Sequence, residues 1–479
     1  MKNKIFISSS IPYVNADPHI GHALEFVQTD VLARYYREKM GKNNVFALWG
    51  TDENASKNVE AAEKRKKPIR EFVDKQSDAF IKLNKILNLS FNDFIKTSSE
   101  KHKKGAQKFW NLCKNDIYKK KYSGLYCVGC EAFYKKDEFK NNICPYHNKQ
   151  LILTEEENYF FSLSKYQNQL IKIIESDTYK IYPEFKKKEV LNFIMSGLDD
   201  FSISRSKERT KGWGVQVPND ENQIMYVWFD ALTNYITALG FNDNDKKFSD
   251  YWINSKNKIH VIGKDIVKFH AIYWPAMLLS ANLPLPDRLY IHGFVTISGS
   301  KMSKTVGNII NPIDAVSRFN IDQFRYYLLK EIPSFNDGDF SYNRFEELYN
   351  SDLANGLGNL ISRILNLCEK NNIELNNESA SLNYLDDKVG KYIENFKFNS
   401  ALDYLWKILK NIDLDINKKE PWRLSKKDAE KLLINWVNEL KNFALNLKFF
   451  LPETSEYILK STKGKLKKVN PLFPRIIKK

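Results

Sequence analysis

The stretch that decides the fold runs from Lys4 to Glu53: KIFISSSIPYVNADPHIGHALEFVQTDVLARYYREKMGKNNVFALWGTDE. Lys4 to Ser10 reads as a buried β-strand, and Pro12 to Pro18 as a turn. A helix begins near Gly21, because Leu24, Val27, Val31, Leu32 and Tyr35 recur at helical spacing, and Gly41 stands where a helix would stop. Val45 to Trp49 is a second short apolar run, and it ends in Gly50-Thr51-Asp52-Glu53. Strand, helix and strand, with polar residues after each strand's carboxyl end, form the α/β doubly wound pattern of a Rossmann-like parallel sheet.

The chain has 479 residues, which at about 100–200 residues per domain predicts two to four domains. The first half of the α/β domain covers residues 1–115. Residues 116–225 break the alternation and read as an insertion, and 226–299 resume the α/β domain, with strand signals at Ile224 to Phe229, Lys258 to Ile262 and Leu289 to Ile291. A connecting region spans 300–345. From 346 to 455 the pattern is helical: Leu353, Leu357, Leu360, Ile361, Ile364 and Cys368 cover one face, and segments around Leu405, Leu433 and Leu445 repeat the style of an all-α bundle.

Net charge is +16, enough to attract a polyanion, although 61 Lys against 13 Arg, with 48 Asn, is also what an A+T-rich genome writes. Clustering is the better guide. In the tail 456–479 no acidic residue follows Glu456, while Lys460, Lys463, Lys465, Lys467, Lys468, Arg475, Lys478 and Lys479 do. No run approaches the roughly 18 uncharged apolar residues of a membrane helix, and the start carries neither a secretory nor a transit pattern. A cytoplasmic enzyme without a membrane partner is the expectation.

Of five cysteines, Cys113 and Cys368 stand in helical patterns as buried thiols. Cys127, Cys130, Cys144 and His147 form C-x2-C-x13-C-x2-H, two close pairs of soft or borderline ligands, with Gly129 permitting the first tight turn. A disulfide would leave His147 unexplained and suits the cytosol poorly. The spacing predicts one structural Zn2+, closed by four protein ligands and without a position for reactive water.

His19-Ile20-Gly21-His22 sits at the turn into the first helix, where free N–H groups and the positive dipole end suit phosphate. Lys301-Met302-Ser303-Lys304-Thr305 supplies two lysines three residues apart with hydroxyls between and after them, an anion clamp. These two segments, in this order and about 280 residues apart on an α/β chain, resemble the two signatures of the class I aminoacyl-tRNA synthetases. Thr305 stands where that family usually has Ser, one hydroxyl for another.

Further segments narrow the resemblance to the methionyl-tRNA synthetase family over residues 4 to about 455: Ile11-Pro12-Tyr13, Gly50-Thr51-Asp52-Glu53, Tyr226-Val227-Trp228-Phe229-Asp230-Ala231-Leu232 with Tyr235, and Phe269-His270-Ala271-Ile272-Tyr273-Trp274-Pro275-Ala276. The resemblance implies that L-methionine is activated by ATP to methionyl-adenylate and passed to tRNA(Met), initiator and elongator alike, for translation. It implies that His19, Gly21, His22, Gly263, Asp265, Lys301 and Lys304 bind ATP, with Mg2+ accompanying the nucleotide. The catalytic candidates are His19, His22, Lys301 and Lys304. Asp52 would hold the α-ammonium, and Ile11, Tyr13, Trp228, Ala231, Tyr235 and His270 would line the side-chain pocket, with Phe269 and Trp274 behind.

In the bundle, Asn359 and Arg363 are one turn apart on the flank of the apolar stripe, and with Trp422 they match the family's anticodon-reading residues. The resemblance makes 300–345 the signature loop and stem-contact region. An insertion of about 110 residues is too short for the editing domain of the Ile, Val and Leu enzymes. Those enzymes need a second sieve because a missing methylene discriminates by only about 1–3 kcal/mol. The chain also lacks room for the additional C-terminal domain of some relatives, so a monomer is expected. Two rivals remain at this stage. A cysteinyl enzyme would need an open metal, against the closed knuckle expected here. A non-catalytic tRNA-binding descendant would not need His19 and Lys304.

Overall fold

The computed structural model describes residues 4–127, 132–134, 140–144, 149–243, 245–302, 309–375 and 385–477. Packing gathers these residues into two units that do not follow the linear order. The first comprises Met1–Pro18, Asn43–Asn84 and Phe91–Ile291; the second comprises His19–Lys42, Lys85–Ser90 and His292–Lys479.

The first unit is built on a six-stranded sheet. Strand β1 (Ile5–Ser9) runs parallel to β2 (Val45–Thr51) on one side and to Lys258–Gly263 on the other, and β2 is parallel to β3 (Asp93–Lys96). Beyond Lys258–Gly263 lie Arg288–His292 and then Lys180–Tyr182, giving the order of an open doubly wound sheet with an added edge. Residues Ile5–Ser9 and Val45–Thr51 are buried throughout, as strands covered on both faces must be. The order reverses at β1, so its carboxyl end and that of Lys258–Gly263 open the crevice where α/β sheets bind ligands.

The segment 116–225 is dominated by an antiparallel ribbon, Ile117–Cys127 against Ile152–Phe161. It is not wholly apart from the sheet, because Lys180–Tyr182 returns as the edge strand beside Arg288–His292. One expected strand is corrected. Of Ile224 to Phe229 only the start is extended, as Gln223–Met225, and Val227–Ala231 is helical. A short apolar run fits either a strand or a buried helix, and here Tyr226 is the extended residue that starts the helix.

In the second unit α1 (Ile20–Met40) ends at Gly41, whose φ of 90° belongs to glycine, with its N–H donating to the Arg37 carbonyl at 3.0 Å. The apolar positions expected on α1 are buried, and so are Glu25, Gln28, Thr29 and Asp30, so the helix is covered on more than one face. The helical C-terminal region stands as expected. A helix starting at Tyr342 passes through widened π-type turns at Tyr349–Gly358 and continues as Asn359–Lys370; Phe398–Lys419, Lys426–Leu447 and Pro452–Ser461 follow. Leu353, Leu357, Leu360, Ile361, Ile364 and Cys368 are all buried. The basic tail folds back on this unit. Gly464–Lys465 pairs with Glu374–Leu375, and Asn350 exchanges two hydrogen bonds with the Ile476 backbone, both at 3.0 Å.

Among the described residues no helix is long and apolar enough to cross a membrane.

Candidate active site

In the first unit the loop after β1 is pinned to the end of β2. The Asp52 N–H donates to the Pro12 carbonyl at 2.8 Å, and Tyr13 pairs with Asp52 in a parallel bridge. Gly50 is obligatory here: a Cβ would stand 2.3 Å from the Ile95 carbonyl oxygen and 3.1 Å from Ile11 Cγ2. Asp52 is buried, and its Oδ1 accepts from the Asn54 N–H at 3.0 Å and from Thr97 Oγ1 at 3.2 Å. A carboxylate so held is oriented by neutral donors, a setting that favours its charged form and a cationic partner. Behind it, burial raises the pKa of Glu53, whose carboxylate accepts from Thr51 Oγ1, Ser77 Oγ and the Ser98 N–H.

The aromatic candidates come together. Trp228 and Phe269 stack at 3.7 Å with planes 3° apart, Tyr13 lies 6.2 Å from Trp228, and His270 meets Trp228 edge-on at 6.3 Å. His270 Nδ1 is 3.0 Å from the Ile266 carbonyl, which can only accept, so the proton sits on Nδ1 and Nε2 accepts from the Tyr235 hydroxyl at 2.7 Å. Ala231 is buried and Ile11 partly buried against this core.

Tyr235 in turn lies over His260 at 4.0 Å, a histidine that sequence reading passed over. His260 Nε2 accepts from Trp274 Nε1 at 3.2 Å, so Nδ1 carries the proton toward Ser8 Oγ at 2.7 Å. Burial, with His270 and Lys258 adding to it, pulls the His260 pKa well below the usual value and keeps the ring neutral. Its place on an all-buried strand beside β1 was the available signal. Gly263 closes that strand buried, and Asp265 follows it exposed in a short turn.

In the second unit His19 and His22 do two things at once. His19 is the residue before α1, and its Nδ1 accepts from the Gly21 N–H at 3.2 Å, while His22 Nδ1 accepts from the His19 N–H at 3.2 Å. This is a capping box made by imidazoles. Both Nδ1 atoms accept, so in each neutral ring the proton is on Nε2. The rings stack 3.7 Å apart. Burial first, then the charges of His19 and His292, pull the His22 pKa well below 6.5, so it is a neutral donor at neutral pH. His292, also missed in the sequence, lies with Nε2 3.0 Å from Glu25 Oε2.

The two signature segments meet in this unit. A Cβ placed on Gly21 would lie 3.6 Å from Met302 Cε, and the Ile20 N–H donates to the Ile310 carbonyl at 3.0 Å. The backbone at Lys301 pairs with Thr296; the Lys301 side chain and residues 303–308, Lys304 included, lie outside the described residues.

In the bundle Asn359 is exposed, and Arg363 donates to Asp413 Oδ1 at 2.8 Å and to Asn417 Oδ1 at 2.6 Å. That fork holds the guanidinium 5.7 Å over the ring of Trp422, which is 53% exposed. Two residues far apart in sequence thus present one cation–aromatic surface.

Of the zinc candidates, Cys127 and Cys144 are buried in one small cluster with Leu125 and Leu151, apart from the main core; Cys130 and His147 lie outside the described residues. Among the described residues no group of three or more His, Cys, Asp or Glu gathers as for a metal ion. Cys113 and Cys368 are the buried thiols expected, and burial raises each to about 12.

Comparison with known proteins agrees with this geometry. The sequence model of the family described as tRNA synthetases class I (M) matches residues 5–151 and 134–365. The methionine--tRNA ligase of Fusobacterium nucleatum is 39% identical over 477 residues, 96% of this chain and 74% of that relative. That of Brucella suis is 38% identical over 478 residues, 96% of this chain and 91% of that relative. The Mycobacterium tuberculosis methionyl-tRNA synthetase in complex with methionyl-adenylate matches with a TM-score of 0.91 at 33% identity, covering 99% of this chain and 100% of that one. Its apo form matches at 0.84 and 31% identity, covering 100% of this chain and 99% of that one. With its parallel sheet, its paired signature segments and relatives along nearly its whole length, the chain belongs to the methionyl-tRNA synthetase family of class I aminoacyl-tRNA synthetases.

Proposed function

We propose that the side chains just described divide a two-step reaction among themselves. The activity is the ATP-dependent activation of L-methionine to methionyl-adenylate and the charging of tRNA(Met). In the first step the methionine carboxylate attacks the α-phosphorus in line, the bond to the bridging oxygen breaks, and pyrophosphate leaves with the electron pair. In the second, the 3′-terminal ribose hydroxyl of tRNA attacks the activated carbonyl, its proton is lost, and AMP departs. Neither step needs a side-chain nucleophile, so this chain contributes position and electrostatics.

Asp52 holds the α-ammonium. Ile11, Tyr13, Trp228, Ala231, Tyr235 and His270 enclose the thioether, whose polarizable sulfur favours aromatic neighbours. The Nε2–H groups of His19 and His22, at the positive end of α1, donate to phosphate oxygens, and Lys301 and Lys304 neutralise charge as it builds on the leaving pyrophosphate. Gly263 and Asp265 take the ribose. Mg2+ arrives with ATP and offsets phosphate charge. Cys127, Cys130, Cys144 and His147 hold one zinc ion that braces the ribbon; the two described thiols, buried together in a cluster too small to be a core, fit that part. Asn359 and Arg363 read anticodon bases, Trp422 stacks on one, and initiator and elongator tRNA are both served by a cytoplasmic monomer.

The observation that carries the reading is the approach of Met302 to Gly21, which gives both phosphate-binding segments one location. Methionine-dependent ATP–pyrophosphate exchange tests it, with cysteine as the competing substrate. Exchange should require methionine, and Lys304→Ala should slow it at least 100-fold while methionine binding changes little. Near-normal exchange in Lys304→Ala, or exchange driven by cysteine, would overturn it.

A further inference from the structure

Helix α1 is held along its length by the second unit's own residues. Beyond the Ile310 contact at its start, Tyr35 Oη donates to Glu394 Oε1 at 2.8 Å, and Lys448 pairs with Glu38 at 2.8 Å. The central tie is of another kind. Arg325, on the helix Ile321–Lys330, places Nη2 2.8 Å from Asp30 Oδ2, and both side chains are fully buried.

Every edge of the Arg325 guanidinium is used. Nε donates to the Phe450 carbonyl at 2.8 Å, Nη1 to Leu87 at 3.0 Å, and Nη2 also to Phe449 at 3.3 Å. Asp30 accepts further from Arg34 Nε at 2.7 Å and from Ser90 through N–H and Oγ at 2.7 and 2.6 Å. Burial opposes the charge on Asp30, but Arg325 and Arg34 outweigh it and hold the pKa below the usual carboxylate value. A buried pair of this sort is weak evidence for stability, since apolar residues of the same volume often serve as well. Its distinguishing property is geometric. A planar fork bound to three separate segments, Lys85–Ser90, α1 and the turn before Pro452–Ser461, fixes both the rotation and the height of α1. Asp30 lies eight residues beyond His22, about 12 Å along the same helix at ~1.5 Å per residue.

We propose that Arg325 is a positioning residue for adenylate formation: through Asp30 it sets the helix whose first turn carries His19 and His22. This rests on the reading that those imidazoles meet the ATP phosphates. A misplacement of about 1 Å costs roughly 100-fold in rate when groups must be pre-aligned, so an anchor two turns away is within reach of the chemistry.

The test replaces the ion pair by a neutral amide pair, Asp30→Asn with Arg325→Gln, in the full chain. Pyrophosphate exchange per active site, counted by the adenylate burst, should fall tenfold or more, while KM for methionine stays within twofold and melting remains above the assay temperature. A purely structural pair would lower melting and the count of active sites, with each remaining site at full rate; that result overturns the proposal. Should the double variant not fold, Ser90→Ala removes one donor from Asp30 and leaves both charges. It should slow exchange two- to fivefold at unchanged methionine KM, and a wild-type rate there also overturns the proposal. His22→Ala separates the two readings. If it exchanges normally, the phosphate assignment has failed; if it is slow while the double variant is normal, only the role of Arg325 has failed.

Discussion

The Tyr235 hydroxyl donates to His270 Nε2 at 2.7 Å because the other ring nitrogen is committed to the Ile266 carbonyl. One proton position on one imidazole therefore orients an aromatic side chain of the proposed methionine pocket. Tyr235→Phe leaves a buried acceptor unmet, at a cost of about 1–3 kcal/mol. Steady-state exchange kinetics should show KM for methionine raised about tenfold, with KM for ATP within twofold. An unchanged methionine KM would remove Tyr235 from the pocket.

Gly21→Ala sets stability against activity. Alanine favours a helix by about 1 kcal/mol, so melting should hold or rise. The new methyl group would stand 3.0 Å from the His19 ring, a distance at which the ring must shift. Exchange should fall at least tenfold in a protein that melts no lower than the wild type.

His102 is fully buried, its Nδ1 2.9 Å from Thr237 Oγ1, and burial lowers its pKa to about 4. Unfolded, it takes up a proton near 6.5. Between these values the unfolded chain binds more protons, so stability is present above pH 6.5 and is lost as pH falls toward 4. Urea unfolding of wild type and His102→Gln at pH 7, 6 and 5 should show the wild type losing ground by roughly 1 kcal/mol per pH unit relative to the variant. Parallel curves would refute it.

Trp422→Ala removes an exposed stacking surface worth about 1–3 kcal/mol per base. Aminoacylation should show KM for tRNA raised about tenfold or more, while exchange without tRNA is unaffected. A variant that charges tRNA normally would dismiss Trp422 as a base contact.

Metal analysis of the purified chain should find one zinc per molecule. Cys127→Ser should lower that content and the melting temperature together, because in a closed site metal binding is folding free energy. A zinc-free wild type that melts as the zinc-loaded form does would end the assignment.

The opening β1–α1–β2 was legible because its two periodicities differ and Gly41 marks the change. Val227 to Phe229 was not, since an uninterrupted apolar run has no period to distinguish strand from buried helix. The pocket aromatics were found through their flanking residues, but His260 was not. Its role depends on Ser8, Tyr235 and Trp274 arriving around it, and only folding does that. The same holds for Arg325 and Asp30: a charged residue in a helix reads as surface until its partner is known. The pairing of Arg363 with Trp422 lay equally beyond local pattern, because two helices must be packed before the indole comes under the guanidinium.

The π-type turns at Tyr349–Gly358 make length, more than composition, the inherited quantity there. Deleting a single residue from them would return the helix to regular winding and rotate everything downstream by about 100°. Leu360 would then surface where Asn359 now faces water, and Asn359 would turn inward to the place of buried Gly358. Homologous chains are therefore free to spell this segment differently, but a one-residue gap in it would disconnect the bundle from the codon it serves.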